Sequence, residues 1–79
     1  SGSVRLYLRA AGGSVANARI VDVAGREVRA WKLDVPASGS LEWSWDGTPA
    51  RGGSRGGGVY FLYVEAGGVR QSLRLVLFR

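Results

Sequence analysis

The chain has no cysteine, no histidine and no methionine, and a single lysine, Lys32. Without cysteine there is no disulfide and no thiolate metal site. Without histidine as well, both the commonest general base and the best nucleophile are missing. The carboxylates Asp22, Glu27, Asp34, Glu42, Asp46 and Glu65 are scattered one per segment. A paired-carboxylate hydrolase or a hard-cation site needs several oxygens in one place. No catalysis, metal or cofactor is therefore expected. The absence of methionine suits an excised or processed piece, and Ser1-Gly2-Ser3 reads as a cloning remnant, leaving residues 4–79 as one domain. No apolar run approaches the roughly 20 residues of a membrane-spanning helix, so no membrane insertion is expected.

What the chain does have is alternation. Leu41, Trp43 and Trp45 fall at every second position, with Glu42 and Ser44 between them. That is a strand with one buried and one wet face. Val59 to Val64 is an unbroken run of β-branched and aromatic residues, expected to be a central strand covered on both faces. Val4, Leu6 and Leu8 alternate with Arg5, Tyr7 and Arg9 in a first half-buried strand. Ala16, Ala18 and Ile20 share one face of a second strand, with Val21 and Val23 on the other.

Asp22-Val23-Ala24-Gly25-Arg26 then reads as a tight connection, with Gly25 free to take positive φ and the Asp22 carboxylate accepting backbone N–H groups. The returning strand, about Glu27 to Leu33, breaks strict alternation at Val28 and Trp31, which predicts a bulge. Asp34 to Ser40 is a loop by composition, and Asp46-Gly47 opens a second, Gly-rich one running to Gly58. The last hairpin returns from Ala66-Gly67-Gly68 into a strand in which Leu73, Leu75 and Leu77 alternate with Arg74, Val76 and Phe78. No segment has a helical period. Six strands on short turns in 79 residues predict an all-β antiparallel sandwich.

These residues fall into a recognisable order. Ile20-Val21-Asp22 with Gly25-Arg26, then Trp45-Asp46-Gly47, then Gly58-Val59-Tyr60-Phe61, and finally Leu73 to Leu77 resemble one family pattern. The family is the immunoglobulin-like domain of the flagellar hook-capping protein and of the C-terminal sorting domains of type IX secretion substrates. The resemblance implies a small immunoglobulin- or fibronectin-III-like sandwich of about seven strands. It also implies a place at the C-terminus of a larger secreted or cell-surface bacterial protein. Where the family often carries acidic residues after Trp-Asp-Gly, this chain has Thr48, Pro49 and Ala50. A divalent-metal loop is not expected there. On this resemblance Arg74, Val76, Phe78 and Arg79 are the residues a secretion apparatus would read.

Rival readings rest on single features. The net charge of +5, carried almost wholly by arginine, permits acidic partners. Arg51-Gly52-Gly53-Ser54-Arg55-Gly56-Gly57 looks like an RNA-binding RGG segment, but has no aromatic between its arginines, and no nucleic acid is expected. Trp43 and Trp45 in a row could stack on a glycan, as in an accessory module of a secreted enzyme; burial in the core is the expected role, leaving Trp31 and Tyr63 for any surface patch. Lys32 and Asn17 could in principle form an isopeptide bond, and are expected to be ordinary polar positions. The expected function is non-catalytic: sorting by a secretion apparatus, or structural contact with a neighbouring subunit.

Overall fold

A computed structural model describes residues 4–48 and 57–77. Six strands follow one another: β1 (Val4–Arg9), β2 (Val15–Asp22), β3 (Glu27–Asp34), β4 (Ser40–Trp45), β5 (Gly58–Ala66) and β6 (Val69–Leu77). All pairings are antiparallel, and they build two sheets: β1-β4, and β3-β2-β5-β6. Six strands stand among the described residues, against the seven implied by the resemblance.

The two sheets close on one core because each strand offers an apolar row to it. The small sheet contributes Leu6 and Leu8 from β1 and Trp45 from β4. The large sheet contributes Ala16, Ala18 and Ile20, then Leu62, Val64 and Ala66, then Leu75 and Leu77. Trp45 meets Tyr60 of β5 and Trp43 meets Trp31 of β3, both edge-on, so aromatic side chains tie the layers together. Val35, assigned by composition to a loop, is buried; its N–H donates to the Ser14 carbonyl and its own carbonyl accepts from Gly13, each at 2.9 Å. It plugs one end of the sandwich.

The β2–β3 turn forms as its residues dictate. The Asp22 carboxylate accepts from the backbone N–H of Ala24 at 2.9 Å and of Arg26 at 3.0 Å. Gly25 sits at φ 83°, a conformation that costs any other residue strain. Just beyond, the register steps from Ile20↔Arg29 to Val21↔Glu27, so Val28 is the extra residue of a bulge.

Three expectations need correction. β5 is central in its sheet but covered on one face only, because two layers enclose a single core; Tyr63 is 40% exposed, with the Arg19 guanidinium 5.2 Å over its ring. Val23 lies in the turn and is exposed. Leu73 shares the inward row of β6 with Leu75 and Leu77, yet is 55% exposed where they are 7% and 5%. The reason is the asymmetry of the layers among the described residues, where two strands face four.

Candidate functional site

The motif residues singled out in the sequence gather at one end of the sandwich. Asp22 stands in register with Tyr60, and the Tyr60 ring meets Trp45 edge-on at 5.2 Å. Trp45 is 2% exposed and its indole N–H donates to the Thr48 carbonyl at 2.8 Å. The Asp46 carboxylate accepts from the Thr48 N–H at 3.0 Å and from its hydroxyl at 2.6 Å. Gly47, at φ 89°, lets the chain turn between them. Gly58 opens β5 at φ 129°, and Val59 and Phe61 are half-buried after it.

Both motif carboxylates are thus engaged in turns. The Arg26 backbone N–H, helped by Ala24 and by the Arg26 side chain at 3.1 Å, holds the Asp22 pKa below its ordinary value. The hydroxyl and N–H of Thr48 do the same for Asp46. A carboxylate held ionised by local donors is a cap, not a proton shuttle. Among the described residues no group of three or more acidic side chains comes together for a metal.

Trp43 is half-buried and meets Trp31 edge-on, ring centroids 6.1 Å apart. Its indole nitrogen is buried without a hydrogen-bond partner among the described residues. Trp31 is therefore turned onto Trp43 at the core, while Tyr63 points outward from the other face of the sheet. The two do not form a common flat platform. Lys32 and Asn17 are cross-strand partners on exposed positions of β3 and β2, with no buried acid between them among the described residues. Of the residues expected to be read by a secretion apparatus, Arg74 and Val76 are exposed on the outer face of β6. Phe78, Arg79 and residues 49–56, which include the RGG-like arginines, lie outside the described residues.

Three surface depressions accompany these features. The broadest, about 530 Å³, is the outer face of the large sheet around Asn17, Arg19, Tyr63 and Glu65. A polar recess of about 250 Å³ lies by Arg29, Ser44 and Asp46. The third is an apolar cleft of about 170 Å³ between the sheets, lined by Tyr7 and Leu8 of β1 and Trp43 of β4 from the small sheet, and by Leu62, Val64, Gln71, Ser72 and Leu73 from the large one. Sequence alternation gave no sign of this cleft. The one local clue was Gln71, a polar residue at an inward position of β6.

The family model of the FlgD Ig-like domain matches residues 1–68. The chain belongs to the FlgD Ig-like domain family. No individual curated protein and no solved structure matches it. The match supports the hook-capping side of the resemblance and lends nothing to type IX sorting or carbohydrate binding. For this FlgD-type domain the convergence of Asp22, Trp45, Asp46 and Tyr60 accounts for the family pattern in structural terms: those residues close turns and seal one end of the core. The match ends at Gly68, before β6.

Proposed function

We propose that this FlgD-type Ig-like domain is a non-catalytic structural module that packs against a neighbouring subunit of a larger secreted or cell-surface bacterial assembly, as in a hook cap. The family match supports this reading, and one structural observation carries it. Tyr7, Val69 and Leu73, 70%, 57% and 55% exposed, belong to β1 and β6, the strands on either side of the interlayer cleft. Tyr7 and Leu73 both line that cleft, and large apolar side chains left exposed there suit a contact surface rather than a solvated one. The turn-engaged carboxylates offer nothing for turnover, and the buried Trp45 nothing for a sugar.

The test is deletion in the organism of origin. A parent protein lacking residues 4–79 should still be made but should no longer co-sediment with its assembly. Undiminished assembly would contradict the module reading. Loss of export of the parent, with assembly intact in lysates, would favour sorting instead.

A further inference from the structure

We draw no further inference here: the strongest candidate, the outer face of the four-stranded sheet around Arg19 and Tyr63, sets Arg19 and Arg70 beside Glu27 and Glu65, so no charge of one sign selects a partner, and nothing in the structure shows what covers it.

Discussion

Two tryptophans separated by one residue do different work. Trp45 is enclosed and its indole N–H is satisfied by Thr48; Trp43 is half-buried and its indole N–H is not satisfied among the described residues. An unpaired buried donor costs about 1–3 kcal/mol, so removing it offsets part of the lost packing. Trp43→Phe should therefore lower the melting temperature much less than Trp45→Phe, measured by circular dichroism. Equal losses would show that the Trp43 nitrogen is satisfied in solution.

The two turn carboxylates give a pH dependence. Their folded-state pKa values are depressed, so the unfolded chain binds protons more readily. The stability they supply is complete above the unfolded carboxylate value of about 4 and is lost as pH falls through the lowered folded values. Melting temperature should fall on acidification below about pH 4, and Asp22→Asn should flatten that fall. A variant with the full acid sensitivity of the parent would remove Asp22 from the account.

At the scale of the element, β6 is the informative strand. Its inward row changes from open at Val69, Gln71 and Leu73 to enclosed at Leu75 and Leu77. Leu73→Lys should leave the melting temperature within a few degrees of the parent, whereas Leu75→Lys should unfold the domain, because a buried unpaired charge is far more costly than an exposed one. Similar losses at both positions would mean that the flank is closed.

The alternation of β1 and β4, the Asp22–Gly25 turn and the Val28 bulge were all legible in the residues, because each is a local matter of pleat, cap and φ. The exposure of Leu73 was not. Its periodicity is identical to that of Leu75, and what differs is how far the opposite layer reaches, a long-range property of strand order. For the same reason the apolar run of β5 looked doubly covered. A core strand and a strand with an aromatic, arginine-capped outer face carry the same hydrophobic letters until the layer count is known. The Trp45–Asp46–Gly47 group was legible as a motif but not as a site, since its neighbours Tyr60 and Asp22 arrive from other strands.

At the scale of the molecule, the described residues set four strands against two, and among them one flank is left uncovered. That flank carries the exposed side chains of Tyr7 and Leu73. An Ig-like domain with an uncovered apolar flank is suited to packing against a neighbour, as proposed above. The most direct test is photo-crosslinking in the organism of origin, with the reactive side chain placed at Leu73 in one strain and at Lys32, exposed on the far strand β3, in another. The expected result is an adduct from Leu73 to a subunit of the parent's own assembly and none from Lys32. An adduct from Lys32 alone, or none from either, would contradict it.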